Sequence, residues 1–408
     1  MKKSNRPRRL FLQVFLYKQA IVREMEPAYS AGVSRHAPDP SSAPQDGELV
    51  RVVALDELSR KGAMVVKRDG KQIALYHGEK GVFACNNRCP HEGYPLVEGT
   101  LTDGCVLTCN WHNWKFDLDS GETLVGGDKL RRYPATIRDG AVWLDLSDPP
   151  AAEVAAAALA ALRESFRDMD YGRMAREVAR MQKVGADPLE AVRVAIGWTY
   201  DRFEFGATHA YAAAADWLTL RERYRGDPAT ELVPVVESIG HLAWDSLREP
   251  KYPFTADVRD FDTDAFVNAV EREDEDAAIA LARGALAAGM TYGDLEPAFA
   301  RAALAHYADF GHAAIYVYKA GALVARLGND VLEPVVLALV RSLVYAYRED
   351  LIPEFRDYAG ALGTWDGTGG RAAGSDEFIG LNAKRAMARA LESSTSPQSL
   401  HGALLGAA

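Results

Sequence analysis

Two stretches of this chain decide its fold: CPHEGYPLVEG at residues 89–99 and CNWHNWKFDLDSGE at residues 109–122. Each begins with a cysteine that is followed closely by a histidine. Two thiolates and two imidazoles make a complete four-ligand set for a metal. An ordinary zinc finger pairs cysteine with cysteine and histidine with histidine along the chain. The alternation found here favours a two-iron cluster with cysteines on one iron and histidines on the other, and zinc is the alternative.

The four candidate ligands are Cys89, His91, Cys109 and His112. Their motifs resemble the Rieske [2Fe–2S] family over residues 48–147. The resemblance implies that Cys89 and Cys109 hold a buried iron of a [2Fe–2S] cluster. It implies that His91 and His112 hold the outer iron, with their far ring nitrogens toward solvent or a partner.

Two features of these motifs bear on the type of Rieske domain. Respiratory-complex Rieske proteins carry a disulfide between the two loops, at positions that are Tyr94 and Trp111 here. The lack of that disulfide resembles the ferredoxin and oxygenase types, which have lower potentials. The residue after the second ligand histidine is usually glycine in those domains, and here it is Asn113. Asparagine tolerates a positive φ better than most residues, so we expect the loop to keep its shape.

All four cysteines lie in one window, at Cys85, Cys89, Cys105 and Cys109. A chain of 408 residues that confines its cysteines in this way is more typical of a metal site than of a disulfide scaffold. Cys85 and Cys105 each precede a ligand cysteine by four residues. We expect both to be buried strand thiols rather than ligands.

The composition excludes several classes of protein. With 48% hydrophobic and 25% charged residues, the chain is typical of an ordinary soluble globular protein. No apolar run reaches the ~18 residues that a membrane span needs. The net charge of −10 argues against a broad nucleic-acid-binding surface. We therefore expect no membrane span, no nucleic-acid partner and a cytoplasmic location.

The first 47 residues predict a disordered leader and linker. Arg8-Arg9, ahead of a short apolar run, resembles a twin-arginine export signal, but no cleavage site of the usual kind follows. The alternative is that Met1 is an upstream start codon and that the protein starts at Met25. Residues 37–46 are rich in proline and serine and predict a linker.

The remaining chain predicts two domains of different class. Residues 48–147 have the pattern of short strands, with Asp-Gly hairpin turns at 69–70 and 139–140. Residues 151–358 have apolar positions at helical spacing and few turn signals. Residues 359–408 predict a glycine-rich loop, a final helix and a tail. The fold class is therefore a small all-β Rieske domain followed by an all-α domain.

The helical region carries signs of an internal repeat, with units at about residues 165–250 and 268–350. His209-Ala echoes His312-Ala at an offset of 103, and LVPVV from residue 232 echoes LEPVV from residue 332 at an offset of 100. We expect two helical units related by pseudo-two-fold symmetry.

The repeat draws attention to five candidate catalytic residues. His209 and His312 occupy equivalent places in the two units, and equivalent residues can meet across a pseudo-two-fold axis. Asp309 lies one turn from His312, and Glu237 lies one turn from His241, so each pair shares a helix face. Two imidazoles and a carboxylate with open positions would suit a second, non-haem iron and O₂. The alternative is that these are core or cleft histidines bonded to backbone carbonyls.

The metal motif of typical Rieske oxygenases, Asp-x-x-His-x(4–5)-His, does not occur in this sequence. His306 and His312 have the spacing of its last part, but residue 303 is alanine. The stretch ADFGHAAIYVYKA at 308–320 resembles instead the questin-oxidase-like family. That resemblance implies Baeyer–Villiger-type oxidation of aromatic polyketides.

Three functions fit these features. The first is an oxidoreductase, in which the cluster relays single electrons to a helical catalytic domain that oxidises a small organic substrate with O₂. A separate reductase or ferredoxin supplies the electrons, because the sequence has no G-x-G-x-x-G nucleotide fingerprint. The second is an electron-transfer protein whose helical domain serves docking or assembly into a homo-oligomer. The third is a redox or iron sensor.

Overall fold

The structure is a computed structural model that describes residues 49–364 and Arg385. The predicted leader and linker, the tail and the final helix apart from Arg385 lie outside the described residues. Residues 359–364, predicted as loop, instead lie within the helix Tyr358–Thr364. The reason is tertiary, because the Tyr358 hydroxyl donates to the Leu304 carbonyl at 2.8 Å and its ring contacts Tyr307. Such contacts outweigh the low helix propensity of glycine.

Residues 49–145 form the predicted β region, which consists of antiparallel sheets. One sheet has the order β1 (Leu49–Ala54), β10 (Ala141–Asp145) and β9 (Ala135–Arg138). A second has the order β2 (Ala63–Arg68), β3 (Lys71–Gly78) and β4 (Gly81–Asn86), and α1 (Leu55–Lys61) precedes it. The third has the order β5 (Thr100–Thr102), β6 (Val106–Thr108), β7 (Lys115–Asp117) and β8 (Thr123–Val125). The small all-β unit is confirmed.

Both predicted hairpin turns are confirmed. Asp69 and Gly70 join β2 to β3 with φ of 49° and 73°, and Asp139 and Gly140 join β9 to β10 with φ of 48° and 68°. Two consecutive residues at positive φ match the twist of the strands they join. These turns fix the register of the two hairpins.

The helical region follows the β region, as predicted. Its helices are α2 (Ala151–Arg167), α3 (Tyr171–Lys183), α4 (Leu189–Thr199), α5 (His209–Arg223), α6 (Pro228–Asp245), α7 (Thr263–Glu271), α8 (Glu275–Ala287), α9 (Tyr292–Leu304), α10 (His312–Leu327), α11 (Leu332–Val344) and α12 (Tyr358–Thr364). Side-chain caps explain several starts, because Asp170, Thr208 and Asp274 each accept a hydrogen bond from a backbone amide of the first turn. None of the described helices is long and apolar enough to cross a membrane.

Two sets of four helices share order, spacing and packing. Helices α3, α4, α5 and α6 begin 104, 103, 103 and 104 residues before α8, α9, α10 and α11. Helix α6 packs against α3, α4 and α5, as α11 packs against α8, α9 and α10. The equivalent helices α5 and α10 pack against each other. A duplication is our interpretation of this pattern.

A buried carboxylate joins the β region to the helical region. The Asp128 side chain follows β8 and is fully buried. One Asp128 oxygen lies 2.6 Å from Arg176 Nε, and the other lies 3.4 Å from Arg173 Nε and 3.6 Å from Arg180 Nη1. These three arginines lie on one face of α3, so helix α3 contacts the loop after β8 through the Asp128 carboxylate. The two regions accordingly belong to one compact unit.

Candidate functional site

The two loops that begin at Cys89 and Cys109 have the same backbone construction. The amide of Cys89 donates to the Tyr94 carbonyl at 2.9 Å, and the amide of Gly93 donates to the Cys89 carbonyl at 2.9 Å. In the second loop, which follows β6, the amide of Cys109 donates to the Trp114 carbonyl at 2.8 Å. Each loop is therefore closed on itself five residues after its cysteine.

The second loop completes this match with Asn113. Its amide donates to the Cys109 carbonyl at 3.0 Å, as that of Gly93 does to Cys89. The φ of Asn113 is 59°, and the φ of Gly93 is 79°. Asparagine thus takes the left-handed conformation that glycine takes in the first loop, and the expectation that the loop keeps its shape is confirmed.

The loops bring the four candidate ligands together in two pairs. His91 Nδ1 and His112 Nδ1 lie 3.2 Å apart. Cys89 and Cys109 are buried neighbours, 3% and 1% exposed, and neither forms a disulfide. A pair of imidazole nitrogens beside a pair of thiols matches the donor set of a two-iron cluster with cysteines on one iron and histidines on the other.

Burial raises the pKa of one candidate ligand, the Cys89 thiol, to about 11. The backbone N–H groups of His91 and Glu92, which donate to it, oppose this rise in pKa. A ligand cysteine must lose its proton to bind a metal, so metal binding at this site releases protons. The two N–H groups are placed to stabilise the thiolate.

The other two cysteines are buried and free, as expected. Cys85 lies on β4, and burial raises the pKa of its thiol to about 12. Cys105 lies in the turn before β6 rather than on a strand, and Lys80 Nζ donates to its sulfur at 3.4 Å. The turn is required there because Gly104, at φ 76°, reverses the chain between β5 and β6.

Aromatic rings flank both candidate histidine ligands. The Trp114 ring stacks on His91 with centroids 4.5 Å apart, and the Trp111 ring stacks on His112 at 4.6 Å. The ring of Tyr94 lies 5.8 Å from that of Trp111. The two positions that would carry a disulfide in the respiratory type therefore hold an aromatic contact between the loops.

A second pair of histidines meets in the helical region. His209 is the first residue of α5 and His312 the first of α10, and their ring centroids lie 5.1 Å apart in an edge-to-face arrangement. The Tyr316 ring lies 6.0 Å from each of them. His312 Nδ1 lies 2.5 Å from the Asp309 carbonyl, so it donates there and leaves Nε2 free to accept a proton or bind a ligand.

An unusual loop carries Asp309 to this place. Tyr307, Asp309 and Phe310 have φ of 48°, 50° and 51°, followed by Gly311 at 87°. The loop is held by Tyr347, whose amide donates to Asp309 Oδ1 at 2.9 Å and whose carbonyl accepts from the Asp309 amide at 2.9 Å. Backbone strain of this kind is concentrated at functional sites.

The histidine pair adjoins a cavity of about 670 Å³, which His209, Asp309 and Tyr316 help to line. Asp245, at the end of α6, also lines it and accepts a hydrogen bond from the Thr208 hydroxyl at 2.5 Å. Burial, Asp309 and Asp245 raise the pKa of Tyr316 to about 12. The Tyr316 phenol therefore stays protonated at neutral pH.

A buried arginine of α11 fixes one wall of the cavity. The guanidinium of Arg341 lies 3.7 Å from the Phe254 ring centroid and donates to the Tyr252 carbonyl at 2.9 Å and to Glu275 Oε1 at 2.8 Å. It also contacts the Phe203 carbonyl, which precedes the wall residues 204–209. This arginine ties two loops to α8 and α11.

Of the five candidate catalytic residues, His209, Asp309 and His312 come together, and the other two lie elsewhere. Glu237 accepts a hydrogen bond from the Tyr171 hydroxyl at 2.7 Å, and His241 is exposed beside Trp217. Neither lines the cavity. Eight residues separate Glu237 from Asp245, which is ~12 Å along α6.

Sequence reasoning missed Asp245. This residue closes the helix that carries Glu237 and His241, and its role depends on the tertiary contact with Thr208. Tyr316, by contrast, lies four residues after His312, a spacing that signals a shared helix face in the sequence.

The described residues contain no group of three or more histidine, cysteine or acidic side chains placed to hold a single metal ion. The two loops that begin at Cys89 and Cys109 are compatible with this result, because a cluster of the two-iron kind takes only two protein ligands on each iron. The expected second iron lacks a third ligand beside His209 and His312. His306, the remaining histidine of the described helical region, lies between Glu271 and Asp350 at 2.7 and 3.2 Å.

Comparison with known proteins addresses the β region. Residues 48–132 match the model of the Rieske [2Fe-2S] domain. The chain is 32% identical over 99 residues to the 3-phenylpropionate/cinnamic acid dioxygenase ferredoxin subunit of Photorhabdus laumondii, covering 24% of this chain and 93% of that protein. It is 34% identical over 120 residues to the 4beta-methylsterol monooxygenase of Methylococcus capsulatus, covering 26% of this chain and 32% of that protein.

A solved structure gives the same coverage. The ferredoxin of carbazole 1,9a-dioxygenase from Nocardioides aromaticivorans IC177 is matched over 24% of this chain and 98% of that chain, at 22% identity and a TM-score of 0.23. The matched part of this chain thus spans nearly all of a ferredoxin, but only about a third of the methylsterol monooxygenase.

Proposed function

The chain belongs to the Rieske [2Fe–2S] family through residues 48–132, and on that premise we propose that it is an oxidoreductase whose helical cavity binds and oxidises a small organic substrate. A separate reductase or ferredoxin would supply or take the electrons. The single observation that carries the proposal is the meeting of His209 and His312, from equivalent helices, at a cavity of about 670 Å³.

Cys89, His91, Cys109 and His112 would hold the [2Fe–2S] cluster. When bound, the cluster accepts and donates one electron at a time. The chain supports this with the N–H groups of His91 and Glu92 at the Cys89 sulfur. His112 is exposed, and His91 Nε2 lies 3.9 Å from a carboxylate oxygen of Glu92, so both rings can meet solvent or a partner at their far nitrogens.

At the cavity, the chain supplies proton chemistry and orientation. His209 lines the cavity and can take a proton from a substrate, and His312, which the Asp309 carbonyl holds in one tautomer, lies against it. The protonated phenol of Tyr316 can donate a hydrogen bond to a substrate oxygen. His209 faces His312 and can share the proton.

O₂ is the oxidant in the finer form of this proposal, and a second, non-haem iron would serve it. His209 and His312 offer two imidazoles for such an iron, but the described residues give it no third ligand. Iron analysis of the holo-protein tests this point. We expect two irons per chain from the cluster alone, and a third would establish the second iron.

The alternative is an electron-transfer protein whose helical region serves docking or assembly. The observation that favours it is the coverage of the relatives, because the matched part of this chain spans 93% of a ferredoxin subunit. In this alternative, the histidine pair would have no effect on the reaction of the reduced protein with O₂.

A reoxidation experiment on the full-length holo-protein separates the two functions. The protein is reduced, mixed with O₂ and followed by the visible absorbance of the cluster. We expect the double variant His209→Ala/His312→Ala to react at least about tenfold more slowly. This is a lower bound, because a general acid–base group typically contributes about a hundredfold or more. The matched control is His241→Ala, because His241 is exposed and does not line the cavity. Equal rates for wild type and the double variant would favour the electron-transfer alternative.

A further inference from the structure

The cavity is rich in carboxylates that have no cationic partner. Five acidic residues line it, and among the described ion pairs none of them takes part in one: Glu204, Asp245, Glu249, Glu273 and Asp309. Some acidic side chains elsewhere in the helical region are paired, as Asp264 is with Arg301 at 2.6 Å and Glu333 is with Arg283 at 2.5 Å. The negative charge of the five cavity residues is not compensated in this way.

The two arginines that line the cavity do not neutralise it. Arg348 is held by Asp350, with nitrogen–oxygen distances of 3.1 and 2.8 Å. Arg202 donates to the backbone carbonyl of Glu249 at 2.6 Å. With the histidines neutral, the carboxylates outnumber the free guanidinium groups, and the field in the cavity attracts cations.

Aromatic rings share the lining with these carboxylates. Phe205 and Tyr345 meet edge to face with centroids 5.7 Å apart, and Phe205 is 63% exposed. Tyr347 lines the same cavity and is 77% exposed. Aromatic faces beside a negative field are the surroundings in which proteins bind ammonium groups that carry alkyl substituents.

Tyr316 is a second and independent sign of a ligand. Its side chain is nine-tenths buried and lines the cavity, yet the described residues give its hydroxyl no hydrogen-bond partner. The hydroxyl itself is not fully buried, so a ligand or water in the cavity can reach it. Asp309 and Asp245 line the same cavity, so a ligand at the hydroxyl shares the cavity with these two carboxylates.

We propose that this cavity binds an organic cation, a tertiary or quaternary ammonium compound with an apolar group. The ammonium lies among the carboxylates, and the apolar group lies against Phe205, Tyr345 and Tyr347. This inference rests on the proposed function only in calling that cation the substrate, because the binding itself requires no redox chemistry.

The test is calorimetric titration of the full-length holo-protein with three probes of similar size: benzyltrimethylammonium, benzyl alcohol and benzoate. We expect the cation to bind about tenfold more tightly than the neutral alcohol, benzoate to bind most weakly, and added salt to weaken the cation alone. Equal affinities for the three probes would overturn the inference.

Isosteric variants localise the binding. Asp245→Asn and Asp309→Asn keep an oxygen for Thr208 and for the Tyr347 amide, and asparagine tolerates the positive φ of residue 309. We expect the double variant to bind the cation about tenfold more weakly. The double variant Glu153→Gln/Asp168→Asn, at two exposed positions outside the cavity, is the charge-matched control and should bind as wild type does. Equal loss in the control, or no loss in the double variant, would contradict the site.

The two proposals fail separately. If the protein binds the cation selectively but its reoxidation rate does not depend on His209 and His312, the cation site stands and the proposed oxidation is wrong. If reoxidation depends on the two histidines but the three probes bind equally, the proposed oxidation stands and the cationic substrate class is wrong.

Discussion

The two loops that begin at Cys89 and Cys109, called the cluster loops below, each contribute one histidine to a pair. The helical cavity also adjoins a pair of histidines from two similar segments, and the two pairs are arranged in opposite ways. In the loops, Nδ1 of His91 faces Nδ1 of His112 at 3.2 Å beside two buried thiols. Beside the cavity, the rings of His209 and His312 meet edge to face at 5.1 Å, and His209 lines the cavity together with unpaired carboxylates. The first pair converges on a shared point, as ligands of one cofactor do. In the second pair, His209 is the imidazole that a molecule in the cavity would meet.

The difference also lies in what holds each pair. The loops are short and closed by their own backbone hydrogen bonds, so their geometry is local. The helical pair depends on α5 packing against α10 and on the strained loop that carries Asp309. We therefore expect substitutions in the loops to act on the cofactor, and substitutions around the cavity to act on folding and ligand binding.

The largest expected effect is the loss of the cluster from Cys109→Ser. The substitution removes one of the two thiolates proposed to hold the buried iron, and we expect loss of iron, acid-labile sulfide and the visible absorption of the holo-protein. The control is Cys105→Ser, at a buried cysteine that accepts a hydrogen bond from Lys80. It should keep all three signals. A Cys109→Ser protein with a full complement of sulfide would break the assignment of the ligands.

The next effect tests the contact that joins the two regions. Asp128→Asn leaves three guanidinium groups around a buried neutral amide, and we expect the free energy of unfolding to fall by about 3 kcal/mol, because one partner of a buried charge cluster is lost. Glu164→Gln removes a largely exposed partner of Arg173 and should cost at most about 1 kcal/mol. Urea unfolding followed by circular dichroism measures both.

The outcome for Asp128 also sharpens the comparison between the regions. The loop after β8 passes Trp114, which stacks on His91, and a Cβ at Gly126 would overlap the Trp114 ring. Gly126 beside Trp114 and Asp128 beside the arginines are thus only two residues apart. If Asp128→Asn destabilises the protein by no more than Glu164→Gln does, the helical region does not hold the β region through this carboxylate.

Sequence reasoning reached the cluster loops because their chemistry is local. Cys89 to His112 span a short stretch, and even the positive φ of Asn113 followed from its place after a ligand histidine. His209 and His312 lie 103 residues apart, and only the repeat suggested that they meet. Glu237 and His241 share a face of α6, as their spacing indicates, but spacing does not tell which neighbour that face meets. Asp245 and Tyr316 become part of the cavity only through tertiary packing.

Gly206→Ala should produce a smaller loss, on the cavity side of the comparison. Gly206 has a φ of 86°, and a Cβ there would overlap the backbone of Ser342 on α11. Left-handed strain and overpacking together should lower the free energy of unfolding by about 2–3 kcal/mol. Gly226→Ala, at φ 99° in open space, carries the strain without the overlap and should cost about 1–2 kcal/mol. Equal losses would mean that the wall of the cavity yields to a methyl group.

The smallest effect compares the two cluster loops with each other. Asn113 and Gly93 have the same hydrogen bond and the same left-handed backbone, so exchanging their residue types should change little. We expect Gly93→Asn to lower the free energy of unfolding by at most about 1 kcal/mol, because a Cβ at Gly93 meets no atom within 4 Å. Asn113→Gly should raise it slightly or leave it unchanged, because glycine relieves the strain but gains freedom in the unfolded chain.

The spectrum of the reduced cluster tests whether residues 93 and 113 have the same influence on the cofactor. If both variants keep the electron paramagnetic resonance spectrum of the reduced cluster, residues 93 and 113 serve only the turn of the backbone. A changed spectrum in Asn113→Gly alone would mean that the asparagine side chain acts on the cluster, since the potential and spectrum of such a cluster depend on the hydrogen bonds around it. The two loops would then share a backbone and differ in their influence on the bound iron.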